Sequence, residues 1–179
     1  RGSPDYDVSN NALTNTDDRF LLSFIDLRAR TEAITVLYEL YVPTGGTRGY
    51  SFTVGASGTS GAGDSFGWYG EQMHVPFGGT YDINSSYTSS NFLDQWVKIA
   101  HVRAANGNSV KYFVNGVLVG TLTPSGANSD LTSHGVVSEL RLFYHTWDSD
   151  YPSASQVKIR NIEVYAATFT DTEIANNWN

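Results

Sequence analysis

Trp68, Tyr69, Glu71, Gln72 and His74 fall within seven residues of one another in the stretch Phe66 to Phe77 (FGWYGEQMHVPF), the densest run of usable chemistry in the chain. Rings beside a carboxylate, an amide and an imidazole are what a sugar site uses. The apolar face of a pyranose lies on the rings, while its hydroxyls bond to planar polar groups. The same residues read equally as a strand with an aromatic core side. In Val136 to His145 (VVSELRLFYH), alternation puts Leu140, Leu142 and Tyr144 on one side and Glu139, Arg141, Phe143 and His145 on the other. Arg141 and His145 are therefore candidate ligand contacts. Thr146 to Ser155 is a rim loop in which Trp147 stands beside Asp148 and Asp150. That grouping suits sugar stacking or a calcium ion, which takes several oxygen ligands. Glu39, on the polar side of an alternating strand, completes the set.

Other chemistries lack their residues. His74, His101, His134 and His145 are scattered without an i, i+4 pair. With no cysteine there is no disulfide framework, thiolate metal site or thiol nucleophile. A net charge of −7 without a basic cluster argues against nucleic acid, which requires grouped Lys and Arg. A single well-placed Arg could still pair with an acidic sugar. There is no transmembrane run and no signal peptide. Arg1 to Pro4 reads as an expression remnant, and the missing initiator Met suggests a module excised from a longer chain.

These groups must be held by strands. Forty per cent apolar and 16% charged residues, with Gly, Ser, Thr, Asn and aromatics in place of helix formers, favour strands and loops. The length of 179 residues suits one domain, residues 5–179, rather than two. The frame is Trp96 to Thr121, where Asn106-Gly107 and Asn115-Gly116 separate three β-rich runs. Each dipeptide predicts a two-residue type I′ turn, hence a three-stranded meander. The implied register pairs Val114 with Val117, Tyr112 with Val119 and with His101, and Val114 with Ile99. One face then carries Ile99, His101, Arg103, Val110, Tyr112, Val114, Val117 and Val119, and this is the expected core. His101 is a core histidine near Tyr112 on that register. A first loop of three or five residues would instead turn His101 and Arg103 outward.

Around the meander, residues 5–18 read as a leading segment or edge strand and Phe20 to Leu27 as a strand. In the next, Ile34, Val36, Tyr38, Leu40 and Val42 form the core set, with Glu39 and Tyr41 on the outer face. Tyr50 to Ala56 is a strand, and Gly78 to Asn91 is expected to be loop around one short strand. Gln156 to Tyr165 is the last strand, broken at Arg160-Asn161 as by a bulge. Asp171 to Asn176 can form one or two helical turns with Thr170 as N-cap and Glu173 in the third position.

Trp96, an alternating strand, a short turn and then Phe113-Val114-Asn115-Gly116-Val117-Leu118-Val119 resemble the laminin-G-like branch of the concanavalin A-like lectin/glucanase superfamily. Ile159-Arg160-Asn161-Ile162-Glu163-Val164-Tyr165, followed by Phe169-Thr170-Asp171-Thr172-Glu173-Ile174, is similar to that family's last strand and terminal helix. Within it, the chain most resembles the lectin-like modules of bacterial sialidases, which share the Ile-Arg-Asn ending and a Glu-x-x-x-Pro strand end like Glu39 to Pro43.

The resemblance implies an all-β, two-sheet antiparallel jelly-roll sandwich with a short C-terminal helical turn. The glucanases of the superfamily carry Glu-x-Asp-x-(x)-Glu on one strand, and this chain has no such run. Ser138-Glu139-Leu140-Arg141 and Gln72-Met73-His74 resemble motifs of jelly-roll alginate lyases, but in reversed order and without those enzymes' C-terminal Tyr-x-Lys-x-Gly-x-Tyr. The expected function is non-catalytic binding of a poly- or oligosaccharide, as a lectin-like module of a larger secreted or cell-surface protein. Trp68, Tyr69 and Trp147 would stack on the sugar, and Glu39, Gln72, His74, Arg141 and His145 would bond to it. Structural calcium is the only cofactor in view. A laminin-G-like protein-adhesion module is the alternative, a polysaccharide lyase the third.

Overall fold

A computed structural model describes residues 5–14, 20–23, 33–44, 48–55, 64–69, 72–77, 80–104, 109–123, 139–142 and 157–179. The described strands, in chain order, are β1 (Asp5–Asp7), β2 (Ala12–Thr14), β3 (Phe20–Ser23), β4 (Ile34–Tyr41), β5 (Arg48–Gly55), β6 (Asp64–Tyr69), β7 (Gln72–Phe77), β8 (Thr80–Thr88), β9 (Trp96–Arg103), β10 (Val110–Val114), β11 (Val117–Leu122), β12 (Glu139–Leu142) and β13 (Lys158–Tyr165). A single helical turn, α1 (Ser89–Phe92), precedes β9, and α2 (Asp171–Asn177) follows β13. The strands form a seven-stranded sheet, β1-β2-β13-β4-β9-β10-β11, and a six-stranded sheet, β3-β12-β5-β6-β7-β8. All the ladders are antiparallel, and the edge strands β8 and β11 run close to each other where the sheets meet. The chain is an all-β sandwich with a short C-terminal helix.

Period-2 sequence builds the core of the seven-stranded sheet. Ile34, Val36, Tyr38 and Leu40 of β4, Val97 and Ile99 of β9, and Val110, Tyr112 and Val114 of β10 share one buried face with Val42, Val157 and Ile159. His101 and Arg103 lie on that face as well, each with 0% exposure. The β9–β10 register pairs Arg103 with Val110, His101 with Tyr112 and Ile99 with Val114, as a two-residue first turn requires. The turn itself, at Asn106-Gly107, lies outside the described residues. The His101 and Tyr112 rings meet edge to face at 5.2 Å, so the histidine is a core residue.

The second turn has the left-handed backbone its sequence demands, with φ of 48° at Asn115 and 74° at Gly116. Asn115 does more than turn. Its N–H donates to the Lys98 carbonyl and its Oδ1 accepts from the Lys98 N–H, so a side chain completes the ladder with β9. Beyond Val114 and Val117 the register departs from expectation. A bulge sets Tyr112 opposite Gly120 rather than Val119. Val117, expected in the core, is 60% exposed because it stands at the turn on the edge strand β11. A Cβ on Gly116 would fall 2.9 Å from the Cβ of Asn179 at a φ that L residues avoid. Gly116→Ala is therefore expected to lower unfolding stability by about 1–3 kcal/mol, read as a shift in urea midpoint without change in slope.

The other face of the same sheet is covered in part by α2. Leu37, Ala100, Val102 and Phe113 form an apolar strip, Ile174 of α2 is buried on it at 1% exposure, and Phe169 and Trp178 flank it. The helix starts with a complete capping box, Thr170 Oγ1 accepting from the Glu173 N–H and the Glu173 carboxylate from the Thr170 N–H. Trp178 Nε1 donates to the Ile99 carbonyl at 3.0 Å, and Lys111 pairs with Asp171 at 2.6 Å.

Two more sequence readings meet the structure here. The bulge at Arg160-Asn161 is present, with the β13–β4 register shifting between Arg160 and Glu163 and φ of 53° at Asn161. The stretch from Gly78 to Asn91 is instead mostly strand: β8 runs nine residues and pairs with β7. Its Ser, Thr and Asn content gives a weak strand signal, and pairing at a sheet edge overrides it.

Candidate functional site

Residues opposite one another in a ladder share a face, so the register of the six-stranded sheet sorts the sugar-binding candidates. Arg141 pairs with Leu21 on one side and Thr53 on the other, and Thr53 pairs with Ser65. Alternation along β6 then puts Gly67 and Tyr69 on that face, and they pair with His74 and Gln72. Tyr69, Gln72, His74 and Arg141 therefore lie on one face of four neighbouring strands, with Glu139. Trp68 does not join them. It is consecutive with Tyr69 in one strand and shares the opposite face with Phe52, Phe66, Met73 and Leu142.

That opposite face also holds Phe20, Leu22, Val54, Leu140, Val75 and Phe77 by register. By residue type it is the apolar face of the sheet. The Arg141 face is accordingly the polar one.

Two residues absent from the sequence reading join this face. The β5–β6 register shifts between Tyr50 and Phe52. Strict alternation would give Tyr50 and Arg48 the face of Phe52. With the extra residue at Ser51, Tyr50 instead pairs with Gly67 and Arg48 with Tyr69. The bulge thus transfers a ring and a cation to the Arg141 face, and adjacent strands place Arg48, Tyr69 and Gln72 in one row. Nothing in the stretch Tyr50 to Ala56 marks the extra residue, since Ser51 interrupts no apolar pattern.

Glu39 lies elsewhere, on the outer face of the seven-stranded sheet. Two in-register rows cross that region, Lys158–Tyr41–Trp96 and Arg160–Glu39–Lys98. Arg160 Nε donates to Glu39 Oε2 at 2.7 Å, and Asn161 Nδ2 donates to Oε1 at 2.9 Å. Glu39 gathers both residues of the β13 bulge, while the Arg160 guanidinium lies 4.0 Å from the Trp96 ring centroid. Burial alone would raise the Glu39 pKa, but the bonds from Asn161 and Arg160 outweigh it and hold the carboxyl below its usual range. Asp7 is also held well below, by Lys158 first and then by Ser9 and Asn10.

Both carboxylates are favoured in the folded state, so their stabilisation is complete above their unfolded pKa values. It is lost as pH falls through the lower native ones. Stability is expected to decline from about pH 5 downward. In Glu39→Gln the same urea titration should show a shallower decline, because one depressed carboxyl is gone.

Glu71, His145 and Trp147, with Asp148 and Asp150 beside the last, lie outside the described residues. Among the described residues no three His, Asp or Glu side chains cluster as a metal would need. No helix among them is long and apolar enough to cross a membrane.

The sequence matches no family model and no curated protein. The fold does match solved structures. The receptor-binding domain of botulinum neurotoxin C/D mosaic serotype aligns with a TM-score of 0.69 at 11% identity, over 98% of this chain and 44% of its own. The CBM40 module of the Ruminococcus gnavus IT-sialidase, solved bound to α2,3-sialyllactose, aligns at 0.66 and 15% identity, over 94% and 96% of the two chains. Trypanosoma rangeli sialidase aligns at 0.65 and 14%, over 92% of this chain and 26% of its own. This chain thus spans less than half of the toxin domain and nearly all of the CBM40 module. At these identities the likeness shows a shared β-sandwich fold.

Proposed function

We propose that the chain is a carbohydrate-binding module of jelly-roll, concanavalin A-like type, which holds a glycan on the polar face of its six-stranded sheet without cutting it. The observation that carries this reading is the register that collects Tyr69, Gln72, His74 and Arg141 on one face, and with them Arg48 and Tyr50. A ring for a pyranose, an amide and an imidazole for hydroxyls, and guanidinium groups for a carboxylate are the parts such a site needs. Tyr69 takes the stacking role, with Trp147 and His145 contributing from the segment after β12. Trp68 and Glu39, on the apolar face and the other sheet, are left out of the contact set. The CBM40 module bound to α2,3-sialyllactose has the same fold over nearly its whole length, which favours a glycan with an acidic sugar and a place in a larger secreted or surface protein.

A panel of neutral and acidic glycans, with α2,3-sialyllactose among them, tests the reading by direct binding. Selective retention of acidic members is expected. Arg141→Ala should weaken it by about 10–100-fold, a charge-assisted hydrogen bond's worth, with thermal stability unchanged. Failure to bind any glycan, alongside binding to a protein, would point to an adhesion module instead.

One observation favours a second reading. Gln72, His74, Tyr69 and Arg141 on one face are also the groups a uronate β-elimination would use, as neutralisers, base and acid. New absorbance at 235 nm on incubation with alginate or glucuronan would convert the binder into a lyase. No metal is required by the main reading, so binding should persist in EDTA. A fall in thermal midpoint on chelation that Asp148→Asn or Asp150→Asn abolishes would support calcium at those carboxylates.

A further inference from the structure

On the proposed sugar-binding face, one strand position has no side chain. Gly67 is interior to β6, pairs with Tyr50 of β5 and His74 of β7, and has Ser65 and Tyr69 two residues away on the same face. A glycine inside a strand costs backbone entropy and packs nothing, so β-branched and aromatic residues are preferred there. Directly across from it the β5–β6 register slips, which is what sets Tyr50 opposite Gly67 rather than on the face of Phe52. A missing side chain and a local bulge at one spot are the features found where a ligand approaches the backbone closely.

We infer that the Gly67 position, between the cross-strand positions Tyr50 and His74 and two residues from Tyr69, is where a single pyranose ring comes down on the strand backbone. The inference rests on the binding reading above and deepens it by naming where the sugar lies. Neighbouring strands stand about 4.8 Å apart and same-face residues along a strand about 6.8 Å, so removing one side chain opens a space comparable to a hexose. The row Arg48–Tyr69–Gln72 lies one step along the strands and supplies donors to groups at one end of the ring. The bulge is then functional in a specific sense: it brings the Tyr50 and Arg48 positions to this face together.

Gly67→Val provides the test, because valine suits a strand better than glycine. The variant should fold with a thermal midpoint at or above that of the parent while its binding to immobilised α2,3-sialyllactose, or to the panel glycan the parent binds best, falls by about tenfold or more. Gly67→Ala, a single methyl, should give an intermediate loss. Thr53→Val, on the same face but away from Gly67, should leave binding intact. Parent binding that survives Gly67→Val and Gly67→Ala overturns this placement while leaving the carbohydrate-binding reading in place. A parent that binds no glycan overturns both. Should Gly67→Val misfold by circular dichroism, Gly67→Ala and Tyr50→Ala decide the matter by the same binding assay.

Discussion

Replacing Ile174 by aspartate is expected to lower the stability of the domain by about 4 kcal/mol and its thermal midpoint by about 8–16 °C. Ile174 is 1% exposed and is the residue α2 inserts into the strip of Leu37, Ala100, Val102 and Phe113. Loss of its transfer free energy accounts for part of the cost. The remainder is an unpaired carboxylate placed against apolar side chains, which the helix can avoid only by lifting away. Lifting breaks the Trp178 bond to Ile99 and leaves four apolar residues on solvent. Ile174→Ala separates the two effects: about 2–4 kcal/mol is expected, with the helix still docked. Urea unfolding measures both variants, and binding of a hydrophobic dye to Ile174→Asp alone would report the uncovered strip. Equal stability for parent and Ile174→Asp would mean that the helix contributes nothing to the fold.

Arg103→Ala is the second large effect. Arg103 has no solvent exposure and lies on the core face of β9 beside His101, between Ile34 of β4 and Val110 of β10. A buried guanidinium persists only when its charge and its donors are engaged, and Arg103 is engaged. Truncation removes a fully buried, engaged side chain and opens a cavity, so about 3–5 kcal/mol should be lost. Arg103→Met, which restores most of the volume but no charge, should recover only the cavity part. Full recovery by methionine would show that the arginine acts as bulk alone. The measurement is again the urea midpoint, at neutral pH.

The sequence made the frame legible where residue chemistry is local. Asn115-Gly116 specifies its own turn through positive φ, and the first turn is implied by a register in which Tyr112 meets His101. Arg160-Asn161 announced a bulge and Thr170 with Glu173 a capping box, and both are present. What escaped was set by partners distant in sequence. The bulges at Ser51 and at Val119 change which face a residue takes, yet the local patterns give no sign of them. The polar strand β8 exists because β7 pairs with it. Glu39, read as a ligand contact on a polar face, is bonded to two residues more than 120 positions away. Trp68 and Tyr69 were separable from the start, since consecutive strand residues cannot share a face.

All three lysines of the chain, Lys98, Lys111 and Lys158, occupy the outer face of the seven-stranded sheet, around α2 and the Tyr41–Trp96 rows. Lysine amines are thus confined to the outer face of the seven-stranded sheet, away from the sheet that carries Arg141. Copies coupled to a biosensor chip or bead through these lysines would be anchored in the same sense, with the proposed glycan-facing side directed into the flow and free to bind.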